Sequence, residues 1–478
     1  MSFELHSGSS GTYVWSSHLA RFAALTPIEK KAVPKFLASI FAGVAAWQSP
    51  AEFRAFVTMV HEVAHYFQDL TTGMGTWDFL NLRRNVRERL YCLRTAQEYQ
   101  DAGKTREMSG LISLDREKEQ ELTRECVFVP IRQYPDERRE RLRNGISICA
   151  GEKVPESDVP PFLVENMLES EAAMVTFSAV RDLKMTDEQW EIAKDNKPLW
   201  DLGSMPEVYT DTASLLVAIF ERWMGATMEE MREQYGPATW TMFDQIMAFL
   251  LDLSWAYPDP DYFENSGVSH DEFDPGLKLM RLLARMQRAT RDEAAGFQKA
   301  IWMDKDFDKA EAILTANCGF AYPAARKIYA SWSSYLEKLC QSDDDRLLKA
   351  RKHICDLRQE HAYEMTGKHI GYFADVHIDL HCIANGIQSY WTSASVLEQD
   401  DSIVIADVLK FNSDLAMVDY LAGSASFICP MAESQICSAA KDSCRTGITM
   451  PQQFPESLEC RIRGTYEKSK FNLRGFHE

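Results

Sequence analysis

The amino-acid sequence predicts a mainly α-helical fold with a small β element. The first observation is an apolar periodicity of helix type, which occurs in residues 28–47, 50–70 and 161–183. The second is a change of pattern in residues 125–135 and 145–155, where β-branched residues alternate and turn residues follow, which indicates strands. The third is a tail from about residue 421 that contains cysteine, proline and glycine but little periodicity.

Local signals place the two ends of the second helix. Ser49 followed by Pro50 is a favoured start, because serine caps the free N–H groups and proline fits the first turn. The glycines in TTGMGTW, residues 71–77, are expected to end this helix. Beyond Pro206 we expect further helices joined by loops.

These changes of pattern divide the 478 residues into three predicted regions. The first is residues 1–205, with a charged helical insertion at about 80–125. The second is a helical region, residues 206–420, and the third is a Cys-rich tail, residues 421–478.

Composition limits the partners. A net charge of −19 disfavours nucleic-acid binding, because an acidic surface repels a polyanion. No membrane span is expected, since each apolar run is shorter than about 20 residues or carries charges. The first ten residues have neither a basic segment nor an apolar core, so no secretory signal is expected. We interpret the 11 cysteines as mostly reduced thiols of a cytoplasmic protein.

The sequence TMVHEVAHYFQDL, residues 58–70, contains a His-Glu-x-x-His motif. On a helix, His61 and His65 lie one turn apart on one face and can bind one metal ion together. Glu62 would project beside the ion and take a proton from a metal-activated water, as in zinc peptidases. The alternative is that hydrogen bonds to other side chains satisfy both histidines.

A third ligand is predicted in NMLESEAAMVTF, residues 166–177, where two glutamates lie in an otherwise apolar helix. Gln68 and Thr71 occupy the positions where a metzincin carries glycine and a third histidine, so that class is excluded. Glu169 and Glu171 are the two candidates, and they lie about 200° apart around the helix. The alternative is that both glutamates face solvent.

Glu169 with the small residue Ala172 three positions later resembles the ligand helix of gluzincin-type zinc peptidases. This resemblance makes Glu169 the first choice as ligand and Glu171 the reserve. The resemblance covers about residues 50–180 and implies a zincin-like metallopeptidase core, with zinc held by His61, His65 and Glu169. The gap between His65 and Glu169 is much longer than in thermolysin-like enzymes.

Other polar residues are candidates for supporting roles. Asp69 lies one turn beyond His65 and is a candidate to orient its imidazole. His377 and His381, in HIDLH, have helical spacing and could clamp a second metal, stabilise an oxyanion together with His361, or simply pack in the core.

Four cysteines of the tail fall within 32 residues: Cys429, Cys437, Cys444 and Cys460. They are candidates for a structural zinc site held by four thiolates. Their spacing is irregular, so one or two disulfides, or four unlinked thiols, are the alternatives.

Together these features predict a zinc-dependent endopeptidase that cleaves a specific protein or peptide by a metal-activated water. One catalytic zinc ion, and a second structural one in the tail, are the expected cofactors. The alternative is a non-catalytic metal-binding helical scaffold or regulator. Neither nucleic acid nor a membrane is an expected partner.

Overall fold

A computed structural model gives the fold. It describes residues 4–7, 11–14, 20–24, 42–80, 164–205, 207–256, 275–316, 324–342, 346–360, 379–384 and 387–392, with single residues at 35, 36, 39, 83 and 260. Most of the described residues are helical, which confirms the mainly α-helical prediction. Within this part of the chain no helix is long and apolar enough to cross a membrane.

The helices are α1 Pro50–Thr71, α2 Val164–Asp182, α3 Asp187–Asp195, α4 Glu207–Met224, α5 Met228–Tyr235, α6 Ala238–Trp255, α7 Pro275–Arg288, α8 Arg291–Gln298, α9 Phe307–Thr315, α10 Ala325–Ser342 and α11 Arg346–Glu360. A short 3₁₀ helix, Lys197–Leu199, follows α3, and a π-helical turn, Lys299–Asp304, extends α8. Residues 73–80 are also helical. Helices α1 and α2 agree closely with the predicted helices at 50–70 and 161–183.

One five-stranded sheet joins the two ends of the described chain, in the order β1 to β5. Its strands are β1 Glu4–Ser7, β2 Gly11–Val14, β3 Ala20–Ala24, β4 Asp379–Ala384 and β5 Ile387–Thr392. Strands β3 and β4 pair in parallel and the other neighbours are antiparallel. None of these strands was predicted. The predicted strands at 125–135 and 145–155 lie outside the described residues.

Helix α1 is the centre of the packing. It contacts α2, α11 and strands β2 and β3, and nearly all of its residues from Phe53 onward are buried. A helix buried on all sides is the expected environment for one that is apolar around most of its circumference. The Ser49 hydroxyl accepts a hydrogen bond from the Glu52 amide, and Pro50 occupies the first turn, so the predicted start is confirmed.

The end of α1 is a tight turn into the next helical segment. Thr72 is extended, and its hydroxyl accepts from the amide of Gly75. A Cβ atom on Gly75 would lie 1.9 Å from the carbonyl oxygen of Asp69. Glycine is therefore needed here for the close approach of two backbone segments.

The first predicted helix, 28–47, extends too far at its C-terminal end. Ala42 is helical, Gly43 has a positive φ of 63°, and residues 45–48 carry no helix. The Ala45 amide instead donates to the Lys184 carbonyl at 2.9 Å. The left-handed conformation of Gly43 ends the helix, and the chain then pairs with the residues that follow α2.

The remaining helices pack against one another in pairs. Helix α2 packs on α4, α6 packs on α7, and α10 packs on α11. Helix α11, from the predicted second region, contacts α1 from the first. The three-region division and the zincin-like core stay predictions. The tail 421–478, and the insertion beyond its first few residues, lie outside the described residues.

Candidate metal centre

Two packed helices bring the three predicted ligands together. His61 and His65 lie one turn apart on α1, and Glu169 lies on α2, which packs against it. One ligand atom from each residue lies within 4.8 Å of the others, and all three residues are buried. The predicted set is thus assembled from positions more than 100 residues apart in sequence.

The Glu169 carboxylate lies between the two imidazoles. Its Oε2 atom is 3.0 Å from His61 Nε2 and 3.6 Å from His65 Nε2. The two rings are nearly perpendicular, with centroids 4.8 Å apart. Three donor atoms therefore converge on one small volume from two directions.

The two separations from Glu169 are close to those expected around a small divalent cation. Ligand atoms about 2.0–2.2 Å from a tetrahedral zinc ion lie about 3.3 Å from one another. The two separations from Glu169 lie on either side of that value. Among the described residues, His65 Nε2 is also a buried nitrogen without a hydrogen-bond partner. Two imidazoles and one carboxylate are a donor set that zinc accepts in hydrolytic sites.

Charge in the cluster is divided unequally between the two histidines. Burial lowers the pKa of His61, and the charge of His65 acts in the same direction. Burial also opposes the charge on His65, but the negative charge of Glu169, with support from Glu62, raises the pKa of His65 to about 9. Burial would raise the pKa of Glu169, yet the charge of His65 and the hydrogen bond with His61 lower it well below its ordinary value. The metal-free cluster is thus a neutral His61 beside a His65–Glu169 ion pair.

Gln68 orients His65. The Gln68 amide nitrogen donates to the Leu168 carbonyl at 2.9 Å, so its oxygen faces His65 and can only accept. That oxygen lies 2.8 Å from His65 Nδ1, which must therefore carry the proton. This assignment leaves His65 Nε2 as the nitrogen available to a cation.

The prediction that Asp69 orients His65 is wrong. The Asp69 carboxylate accepts from Arg351 Nη2 at 2.7 Å, and the acceptor at His65 Nδ1 is Gln68. The guanidinium of Arg351 is fully buried and draws the carboxylate toward α11. The sequence did contain a signal for Gln68, because a residue three positions after His65 lies on the same face of the helix as His65.

Glu62 lies on the same helix as the two histidines and is fully buried. Its negative charge contributes to the raised pKa of His65. Because it follows His61 directly, it projects about 100° around α1 from that ligand. Its role as the general base stays a prediction.

Glu171 is directed to a different partner. It is buried on α2, where its Oε2 atom accepts a hydrogen bond from Trp255 Nε1 at 2.7 Å. Trp255 is the last residue of α6. The reserve ligand thus joins α2 to α6 and is not among the three residues that converge.

The other predicted site residues lie elsewhere. His381 lies in strand β4, so the helical spacing from His377 does not apply to it. His361 and His377 lie outside the described residues. So do all four tail cysteines: Cys429, Cys437, Cys444 and Cys460.

Sequence reasoning missed the two buried arginines of α11, Arg351 and Arg358. A signal was present, because both lie at helical spacing on the same stripe as Leu347, Ile354 and Cys355. An arginine in an apolar stripe needs an acidic partner in the core. Arg351 bonds Asp69, and Arg358 bonds Asp252.

Comparison of the chain with protein-family models, with curated proteins and with solved structures finds no match. The chemistry and geometry of the site itself are therefore the basis for a function.

Proposed function

We propose that this protein is a zinc-dependent endopeptidase of gluzincin-like type. The observation that supports this best is the convergence of His61, His65 and Glu169, with Glu62 on the same helix. Two histidines and a glutamate form the donor set of many catalytic zinc sites, and such sites leave a position open for water or substrate. A glutamate that directly follows the first histidine is the general base of the His-Glu-x-x-His arrangement.

The residues divide the chemistry between them. His61, His65 and Glu169 would hold the ion, and Gln68 would keep His65 in the tautomer that presents Nε2. When bound, zinc supplies a Lewis acid that polarises a peptide carbonyl and makes water more acidic. Glu62 takes a proton from the attacking water and passes it to the leaving amine, which general acid–base catalysis requires.

The substrate class follows from the same chemistry. A peptide carbonyl is the electrophile that this base and ion are suited to, so a protein or peptide is the proposed substrate. A reducing, cytoplasmic setting is part of the proposal. It agrees with Cys355, a buried thiol that forms no disulfide in the described part of the chain.

Peptide hydrolysis tests this proposal directly. Zinc-loaded wild-type protein and Glu62→Gln are incubated with denatured cell proteins, and new peptide N-termini are identified by labelling and mass spectrometry. We expect cleavage by the wild type and a loss of about 100-fold or more in the variant, with its zinc content unchanged. Zinc-loaded wild type that cleaves nothing would contradict the peptidase proposal.

A second candidate function is a metal-binding scaffold or regulator without catalysis. It is favoured by the burial of the site, since His65 and Glu62 are 0% exposed and His61 and Glu169 are 6% and 5% exposed. A hydrolase must admit its substrate, whereas a structural ion needs no access. Zinc that stabilises the fold equally in wild type and Glu62→Gln, without peptide cleavage, would support this candidate.

A further inference from the structure

A buried arginine from a distant helix holds the end of the motif helix. Arg351 lies on α11, 282 residues after Asp69, and both side chains are 0% exposed. Its Nη2 donates to the Asp69 carboxylate at 2.7 Å, and its Nη1 donates to the Asp69 carbonyl at 3.0 Å. One guanidinium thus binds both the side chain and the backbone of the same residue.

The position of this guanidinium is itself fixed. Its Cζ lies 4.2 Å from the centre of the Phe79 ring, a cation–π distance, and Phe79 belongs to the helical segment that follows α1. The Asp69 carbonyl is also closely approached by Gly75. The end of α1 is therefore packed between α11 and the segment 73–80.

Gln68, the residue next to Asp69, orients the proposed ligand His65. Gln68 accepts from His65 Nδ1 at 2.8 Å and donates to the Leu168 carbonyl, one residue before Glu169. A shift of the backbone at Asp69 would move Gln68 and with it both of these hydrogen bonds. The backbone at Asp69 therefore affects the orientation of the His65 ring. It also affects how α1 is aligned with the part of α2 that contains Leu168 and Glu169.

The structure contains a matched pair of the same chemistry away from the metal centre. Arg358, seven residues after Arg351 on α11, donates to the Asp252 carboxylate of α6 at 2.7 Å, and both side chains are 1% exposed. Asp252 does not lie on either ligand helix. The two pairs are alike in type, distance and burial, and differ in the element that they hold.

We propose that Arg351 is a positioning residue of the metal centre, which acts through Asp69 and Gln68 to hold His65 Nε2 in the orientation that binds the ion. The inference rests on the proposed metal centre. Lysine cannot replace the planar fork that binds a carboxylate and a carbonyl together, so Arg351→Lys releases the end of α1 while it keeps the charge.

The test compares Arg351→Lys with Arg358→Lys in the full chain. Zinc affinity is measured by competition with a chromophoric chelator, and the visible spectrum of the Co²⁺-substituted protein reports ligand geometry. We expect Arg351→Lys to weaken zinc binding by about 10- to 100-fold and to change the Co²⁺ spectrum. Arg358→Lys should leave both unchanged, although each variant unfolds at a lower denaturant concentration than wild type.

Equal zinc affinity and identical Co²⁺ spectra in the two variants would overturn the inference, and so would equal losses in both. If Arg351→Lys does not fold, Asp69→Asn and Asp252→Asn give the same comparison from the partner side, with the same expected difference. Failure of the wild type to bind zinc would overturn the proposed metal centre together with this inference. Wild-type binding with no difference between the variants would overturn the inference alone.

Discussion

The proton on His65 in the metal-free protein sets how zinc binding responds to pH. The negative charge of Glu169 outweighs burial and raises the pKa of His65 from its ordinary 6.5 to about 9. A cation that binds at Nε2 must displace this proton. His61 is already neutral, because burial lowers its pKa, so its proton only needs to move to the other ring nitrogen.

The magnitude follows from the pKa of His65. At pH 7.5 a group with a pKa of about 9 is ~97% protonated, whereas one with a pKa of 6.5 is ~9% protonated. Zinc binding at pH 7.5 should therefore release about one proton, and competition from this proton weakens the apparent affinity by ~30-fold, or about 2 kcal/mol. The apparent affinity should rise about tenfold per pH unit below pH 9 and level off above it.

Isothermal titration calorimetry in buffers of different ionisation enthalpy measures the number of protons released. The Glu171→Gln variant is the control, because the Glu171 carboxylate bonds Trp255 and should leave the release unchanged. Release of less than ~0.2 proton at pH 7.5 would refute the His65–Glu169 ion pair, since an unperturbed histidine gives about that little.

The same ion pair also links the stability of the metal-free protein to pH. The raised pKa of His65 contributes stability that is fully present below pH 6.5 and is lost as the pH rises through about 9. The lowered pKa of Glu169 contributes stability that is present above pH 4.5 and is lost on acidification. The free energy of unfolding of the chelator-treated protein, measured by chemical denaturation, should fall between pH 6.5 and 9 as the contribution of His65 is lost. Stability that rises across that interval would contradict the assignment.

Three further predictions concern single residues. Glu62→Gln should keep full zinc content but lose about 100- to 10,000-fold in peptide hydrolysis, as measured by elemental analysis and cleavage rate; equal activity would exclude Glu62 as the base. Gly75→Ala should lower the free energy of unfolding, measured by urea denaturation, by about 2–4 kcal/mol, because the new Cβ would lie 1.9 Å from the Asp69 carbonyl oxygen. Gly203→Ala is the control that should leave this free energy unchanged, because a Cβ on Gly203 would have only one atom within 4 Å. Ser49→Ala should cost about 0.5–2 kcal/mol through loss of the cap on α1, and no shift in the urea midpoint would contradict that role.

The ligand pair and its helix could be predicted because their signals are local. The start of α1 at Ser49 and Pro50 depends on residues within one turn, and the spacing of His61 and His65 is fixed by helix geometry. The two glutamates of α2 were noticed because a carboxylate in an apolar helix needs a partner, and Glu169 was preferred because of the resemblance to the ligand helix of gluzincin-type peptidases. Its convergence with the histidines then depended only on the packing of α1 against α2.

The supporting residues could not be assigned because their partners are distant in sequence. Asp69 and Gln68 are neighbours on α1, and the sequence does not show which of them contacts His65. In the structure Asp69 bonds Arg351, which lies 282 residues later, and Gln68 contacts His65. The end of the first helix at Gly43 was missed for a similar reason. The apolar residues that follow it were assigned to a helix face, yet their backbone pairs with Lys184.

The sheet was missed because its strands are short and come from opposite ends of the chain. Strand β3, Ala20–Ala24, pairs with β4, Asp379–Ala384, across more than 350 residues. Five or six residues give too little alternation to distinguish a strand from a loop or a helix turn. In HIDLH, residues 377–381, the spacing of the two histidines favoured a helix, and pairing with β3 overrides that local pattern.

The amount of zinc bound per chain shows whether His61, His65 and Glu169 form a metal site. Wild type, His61→Ala, Glu169→Ala and Glu171→Ala are purified without chelator, dialysed against metal-free buffer and compared by elemental analysis. We expect wild type and Glu171→Ala to hold the same amount of zinc, and His61→Ala and Glu169→Ala each to hold about one ion fewer per chain. Equal zinc content in all four proteins, or none in the wild type, would contradict it.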